Sequence, residues 1–273
     1  MQFGFTYHRP ASVIELCELL NRYGAKCKIL AGGTDLIVDI RAGLKKYDYI
    51  VDIKNIPELN ELSFSKQKGL SIGAAVTCSQ LIEDSTAQKK YHLLCECAET
   101  IASYPLRNRA TIVGNIVNAS PCADTAPGLL CLDAQVLIKS SSGEKTIALK
   151  DFFEGVKKVK LAPNEFVSKI IVPPASAEAK GAYMKLKRIK GHDLSLVSVA
   201  MAVIKKNIIR VAIASAAPTP VILPDFSKNT KVDEIINVAL KTVKPIDDIR
   251  SSKDYRLHMI GVYIKRLYEQ LIK

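Results

Sequence analysis

The sequence predicts an α+β protein in two domains, on three observations. The first 55 residues carry a strand–loop–helix–strand signal, and residues 56–175 mix short strands with helices. A Pro173-Pro174 stop then precedes three strand-like runs and two helices. A chain of 273 residues, 48% apolar and 24% charged, has material for a sizeable core and the composition of an ordinary globular protein.

Ser12 precedes an apolar-periodic run over 13–23, Glu15 stands three residues on as a capping box requires, and Gly24 ends the helix. Residues 27–31 read as a strand leading into Gly32-Gly33. Thr34 then N-caps a helix through Leu36, Ile37 and Ile40 that closes near Gly43, and 49–53 is the next strand. Further on, 70–75 is a strand, 79–83 a short helix and 91–101 a longer one. Runs 134–140 and 145–149 form a hairpin across Ser141-Ser142-Gly143, and 166–172 is a strand stopped by the double proline. That proline pair, followed by Ala-Ser-Ala-Glu-Ala-Lys, divides the chain into 1–175, with subdomains of about 1–55 and 56–175, and 176–273. Past it, strands at 182–188, 194–205 and 208–216, the last two joined by a Lys206-Asn207 turn, precede helices at 232–243 and 255–272. The expected architecture is an antiparallel sheet with helices on one face.

The formal charge of +12 raises the question of a polyanionic partner. The basic residues instead fall in scattered groups, Lys45-Lys46, Lys89-Lys90, Lys157-Lys158-Val159-Lys160 and Lys205-Lys206, at turns and helix ends. With no Trp and no arginine-rich or aromatic-interleaved stripe, the reading is a solvated basic surface without a nucleic-acid partner. Cys17, Cys27, Cys78, Cys95, Cys97, Cys122 and Cys131 lack zinc or iron–sulfur spacing and lie mostly in apolar segments. They read as buried free thiols in a reducing compartment, so no metal is expected on this chain. No apolar run is long enough to span a bilayer. The start, Met1-Gln2-Phe3-Gly4-Phe5, meets His8, Arg9 and Pro10 without a signal-like stretch, so a cytoplasmic protein is expected.

Two segments carry the chemistry. In Leu30-Ala31-Gly32-Gly33-Thr34-Asp35-Leu36, adjacent glycines between strand and helix let successive N–H groups face an anion, with the Thr34 hydroxyl as a further donor. This suits a pyrophosphate. A Gly-Gly turn can equally serve only to connect two elements, and it is not the spaced dinucleotide fingerprint. Over 109–124, small and hydrogen-bonding residues alternate with aliphatics. A solvent loop has no use for Ile112, Val113, Ile116 and Val117. A core strand has none for Gly114, Asn115, Asn118 and Ser120 unless something polar is buried against it. A buried polar ligand resolves the conflict, with Asp124 binding ligand hydroxyls rather than phosphate because like charges repel.

Together these segments resemble the FAD-binding subunit of the molybdenum hydroxylases, the family of the xanthine dehydrogenase and carbon monoxide dehydrogenase flavoproteins. Ala31-Gly32-Gly33-Thr34-Asp35 looks like its first flavin loop. Ala110-Thr111-Ile112-Val113-Gly114-Asn115-Ile116, with Asn118-Ala119-Ser120-Pro121 and Asp124 after it, looks like its second. Met184-Lys185-Leu186-Lys187-Arg188 with Asp193-Leu194-Ser195-Leu196-Val197, Ser215-Ala216-Ala217-Pro218-Thr219-Pro220, and Tyr255-Arg256 with Val262 extend the likeness over nearly the whole chain.

The resemblance implies an FAD-binding domain of the vanillyl-alcohol-oxidase type in two subdomains, followed by a domain like the C-terminal one of the carbon monoxide dehydrogenase flavoprotein. Ile29, Leu30, Ala31, Gly32, Gly33, Thr34, Asp35 and Leu36 would form one side of the cofactor site, and Thr111, Gly114 and Asn115 the other. Ala102 and Val167 would add contacts, Asp124 would bond the sugar or ribityl part, and Lys185 would bring a cation to the flavin end. The implied function is electron transfer, from an iron–sulfur subunit through FAD to an external acceptor. A molybdopterin-binding subunit would hydroxylate the substrate, the molybdenum–pterin and iron–sulfur centres lying on those partners. Alternatives are a stand-alone FAD oxidoreductase of the same fold and a non-catalytic basic binding module. One departure stands out: Val113 occupies the first of two adjacent glycine positions usual in the second loop. Either the backbone there is ordinary β with the valine turned away, or flavin binding is weakened. The first is expected, because Gly114 and Asn115 are kept.

Overall fold

The computed structural model describes residues 4–205 and 207–272. Met1, Gln2 and Phe3 of the N-terminal reading, and Lys206 of the expected pair and turn, lie outside the described residues.

The chain begins with β1 (Thr6–His8), α1 (Val13–Tyr23), β2 (Cys27–Leu30), α2 (Leu36–Arg41) and β3 (Tyr49–Asp52), whose strands make a parallel sheet in the order β1-β3-β2. Ser12 Oγ accepts from Glu15 N at 3.2 Å and starts α1, while the Glu15 carboxylate accepts from Ala11 N at 2.8 Å rather than completing the box on Ser12. The helix buries Leu16, Cys17 and Leu20, one stripe of its surface. Thr34 does not cap α2; Asp35 holds the N-cap position without a side-chain hydrogen bond to the helix.

Next come β4 (Leu62–Ser65), β5 (Gly69–Gly73), α3 (Cys78–Glu83), α4 (Ser85–Lys90), α5 (His92–Glu99), α6 (Tyr104–Arg107), α7 (Ile112–Val117) and α8 (Thr125–Cys131). They are followed by β6 (Gln135–Ser140), β7 (Gly143–Ala148), β8 (Phe153–Gly155), β9 (Lys158–Val159) and β10 (Phe166–Val172). Five of these strands form an antiparallel sheet, β4-β5-β10-β6-β7, and β8 pairs with β9. Thr77 and Gln80 build the capping box of α3.

The last part is β11 (Lys180–Leu186), β12 (Val197–Ile204), β13 (Ile208–Ala214), β14 (Val221–Ile222), β15 (Phe226–Ser227), α9 (Val232–Thr242) and α10 (Lys253–Ile272). Its sheet runs β11-β12-β13-β14, antiparallel, with β15 also on β13. Helices α9 and α10 cover one face, as expected. The other face is buried too, against α5 and α8.

Strand β12 shows how. Every residue in it is buried, and its side chains alternate in size. Val197, Val199 and Met201 join the core under α9 and α10, whereas Ala200 and Ala202, with Ala212 of β13, join the larger core of the first 175 residues. Small side chains on that face let α8 lie close to the sheet, and Cys131 Sγ approaches Ala200 O at 3.5 Å. Replacing Ala200 by Leu inserts three carbons into this seam. It should destabilise the protein by ~1–3 kcal/mol, seen as a lower urea midpoint at an unchanged slope.

Candidate functional site

Two loops meet because one of them has no side chain. A Cβ on Gly32 would lie 2.1 Å from Arg109 O and 3.0 Å from Ala110 Cα, so only glycine lets the segment after β2 reach the backbone that leads into Thr111. Gly33, at φ +74°, turns the chain in the left-handed region, and Leu30 Cδ1 fills the place a Cβ there would take. The other side is pinned by backbone bonds, Cys78 N to Ala110 O at 2.8 Å and Ile112 N to Val76 O at 3.3 Å.

Thr111 caps α7, its Oγ1 accepting from Gly114 N at 2.9 Å. The segment expected as loop or strand is therefore helical. Ile112 and Ile116 are buried in the core at helical spacing, Gly114, Asn115, Val117 and Asn118 line a cavity, and Val113, itself buried, lines that cavity as well. The same geometry corrects the reading of Val113: its backbone is helical, not β, so no left-handed φ is asked of it, and the residue, 4% exposed, borders the cavity rather than turning away from it.

The cavity measures about 610 Å³, within the usual range for ligand sites. Ile29, Ala31, Gly32, Gly33, Thr34, Asp35 and Leu36 line one side, and Thr111, Gly114, Asn115 and Val167 another. Asn118 Nδ2 donates to Asp35 Oδ1 at 2.8 Å, tying α7 to the first loop, and Asn115 Oδ1 accepts from Thr125 Oγ1 at 2.6 Å, tying α7 to α8. Leu30, Ala102, Asp124 and Lys185 are outside this lining.

Asp124 and Lys185 meet in a second place, where the N-terminus of α8 faces β11, with Ala102 following close behind the Thr100 carbonyl there. Lys185 Nζ sits 2.8 Å from Asp124 Oδ2 and donates to Thr100 O at 3.1 Å, two residues before Ala102. Tyr183, one pleat back on the same strand face, donates its hydroxyl to Asp124 Oδ1 at 3.2 Å. The two charged side chains are only 4% and 11% exposed. Burial raises the Asp124 pKa against the pull of Lys185, and burial with the Asp124 charge holds the Tyr183 phenol well above its usual range. Ala102 lies in the turn after α5, not in the helix, at φ 41°, a conformation that costs a non-glycine residue ~1 kcal/mol or more. The signal for Tyr183 was its two-residue spacing from Lys185. Nothing local could have announced its pairing with Asp124, 59 residues away.

Six of the cysteines are buried and Cys122 half-buried, all of them free. Burial pushes the thiols of Cys78, Cys95 and Cys131 up to about 12, which keeps them protonated. Among the described residues no helix is long and apolar enough to cross a membrane.

This arrangement has counterparts. Residues 2–175 match the family described as the FAD binding domain in molybdopterin dehydrogenase, and residues 181–271 the CO dehydrogenase flavoprotein C-terminal domain. The chain belongs to the FAD-binding subunits of the molybdenum hydroxylase family, and so to the oxidoreductases. It is 32% identical to the xanthine dehydrogenase FAD-binding subunit of Escherichia coli O157:H7, over 98% of this chain and 96% of that one. The carbon monoxide dehydrogenase medium chain of Hydrogenophaga pseudoflava is 30% identical, over 96% and 95%. Among solved structures, a chain of a Cu,Mo-CO dehydrogenase in its cyanide-inactivated form superposes with a TM-score of 0.92 at 27% identity, covering 100% of this chain and 99% of that one. FAD is therefore the cofactor of this chain, as the resemblance implied, and the fold is that of the carbon monoxide dehydrogenase flavoproteins.

Two outcomes test the geometry. Gly32→Ala forces the Arg109 carbonyl aside and should destabilise by ~1–3 kcal/mol in urea titration. Lys185→Met leaves the Asp124 carboxylate buried without its cation and should cost ~3–5 kcal/mol at neutral pH. The folded-state pKa of Asp124 then rises further above its unfolded value, so protonation favours the folded form. The deficit should shrink as pH falls toward about 4, and adding Asp124→Asn should remove that pH dependence.

Proposed function

We propose that FAD lies with its diphosphate between Gly32, Gly33 and Thr34 on one side and Thr111, Gly114 and Asn115 on the other. The observation that carries this is the side-chain-free approach of Gly32 to the Arg109 backbone, which brings two loops of small and hydrogen-bonding residues to one cavity. Ile29, Leu30, Ala31, Asp35, Leu36 and Val167 shape or back the same walls. Asp124 is assigned to the sugar or ribityl hydroxyls. Its Oδ1 is oriented by Tyr183 and its charge balanced by Lys185, so the carboxylate keeps one rotamer. Lys185, near the left-handed turn at Ala102, supplies the cation at the flavin end.

Bound FAD supplies the redox chemistry, and the residues of this chain position it and set its electrostatic surroundings. We assign the chain a role in electron transfer, taking electrons from an iron–sulfur subunit and passing them to an external acceptor, while a molybdopterin-binding subunit acts on the substrate. Relatives described as medium chains of carbon monoxide and glyceraldehyde dehydrogenases support membership in such an assembly. We divide the chain into an FAD-binding domain over 1–175, with subdomains of about 1–55 and 56–175, and a second domain over 176–273. The free, buried thiols favour a cytoplasmic complex.

Gently purified native protein should be yellow, releasing stoichiometric FAD on denaturation, and should co-purify with chains carrying molybdenum and iron. Colourless protein that refuses added FAD overturns the cofactor placement. A flavin-loaded protein that travels alone and turns over a small substrate overturns the electron-transfer assignment.

A further inference from the structure

One residue on the cavity rim has a conformation its residue type does not favour. Lys157, between β8 and β9, is held at φ 58°, in the left-handed region where a residue with a Cβ is strained and glycine is not. Its backbone N–H donates to Ala119 O at 2.9 Å, which fixes the turn beside the end of α7. The turn itself is made by the backbone and does not call for a lysine. The side chain shows where the charge goes. Nζ donates to Asn118 Oδ1 at 2.9 Å and stands 3.8 Å from Asp35 Oδ1, the two residues that tie the second loop to the first.

We propose that Lys157 is a phosphate-binding residue of this cavity, its ammonium held at the junction of the two loops to meet the diphosphate of a dinucleotide. The inference rests on the placement of FAD given above and adds a contact that neither loop contains. An ammonium has three donors, and the hydrogen bond to Asn118 uses one of them. The pair with Asp35 is between side chains 45% and 56% exposed, so it is worth little and gives way readily to a dianion. Lys28 lines the same cavity, and among the described residues no carboxylate forms an ion pair with it. Desolvation, and then the neighbouring Lys45 cation, lowers its pKa, so an anion in the cavity relieves Lys28 as well.

The full chain, stripped of flavin and titrated with FAD at low and high salt, decides the matter. Lys157→Met and Lys157→Gly should each weaken FAD binding about tenfold, or ~1.4 kcal/mol, at low salt and flatten its salt dependence, while Lys157→Arg stays close to the parent. In Lys157→Gly the relieved backbone offsets the lost hydrogen bond, so the flavin-free melting temperature should stay within about 2 °C of the parent. FAD affinity unchanged within about twofold in both the Met and Gly variants overturns the proposal. So does a larger drop in the Gly variant's melting temperature with the salt dependence unaltered, which marks a structural lysine. A parent chain that binds no FAD instead overturns the cofactor placement, and this inference with it.

Discussion

The contact on which the site depends is backbone against backbone. At Gly32 the first loop comes within a methyl group's width of the Arg109 carbonyl, and everything near the cavity is arranged around that approach. The strand before it delivers the loop, Gly33 turns it away into α2, and the bonds from Cys78 and to Val76 hold the opposite side still. No side-chain interaction could replace this. Attraction is not what is lacking at Gly32; the position simply excludes an atom. Glycine there is a geometric condition rather than a source of stability.

A different logic governs the place where the N-terminus of α8 faces β11. Asp124 and Lys185 are a buried pair, and neither charge is tolerable without the other once water is gone. Tyr183 and the Thr100 carbonyl complete the hydrogen bonding, so the charged atoms keep one arrangement. Such a unit adds little net stability over a well-packed apolar one. Its value lies in orientation, because a carboxylate and an ammonium fixed this way present a defined field to whatever lies beside them.

Much of the fold was legible, and the failures have physical causes. β10 spans Phe166–Val172, the run bounded by the double proline, and α1 follows its apolar stripe, since both elements bury one pattern and are stopped by residues that cannot continue them. α8 gave no signal because all seven of its residues are buried, between α5 and the β12–β13 sheet, so no polar face marks a helical period, and Pro127 and Gly128 speak against a helix. α7 was misread because its polar residues were weighed against a strand or a loop. The spacing of Ile112, Val113 and Ile116 held the better answer. The Gly-Gly loop could be found locally because backbone conformation is a local property. The ion pair and the reach of Lys157 could not, since they join residues brought together only by the whole topology.

β12 has one more consequence. Its odd and even side chains belong to the interiors of both halves of the molecule, so opening either half exposes one face of this strand. Buried on both faces, this strand belongs to the most protected part of the molecule. A chain cut after residue 175 would leave the side of α8 that packs on β12 and β13 facing water. The break that looks natural in the sequence is, in three dimensions, a buried seam shared by two cores.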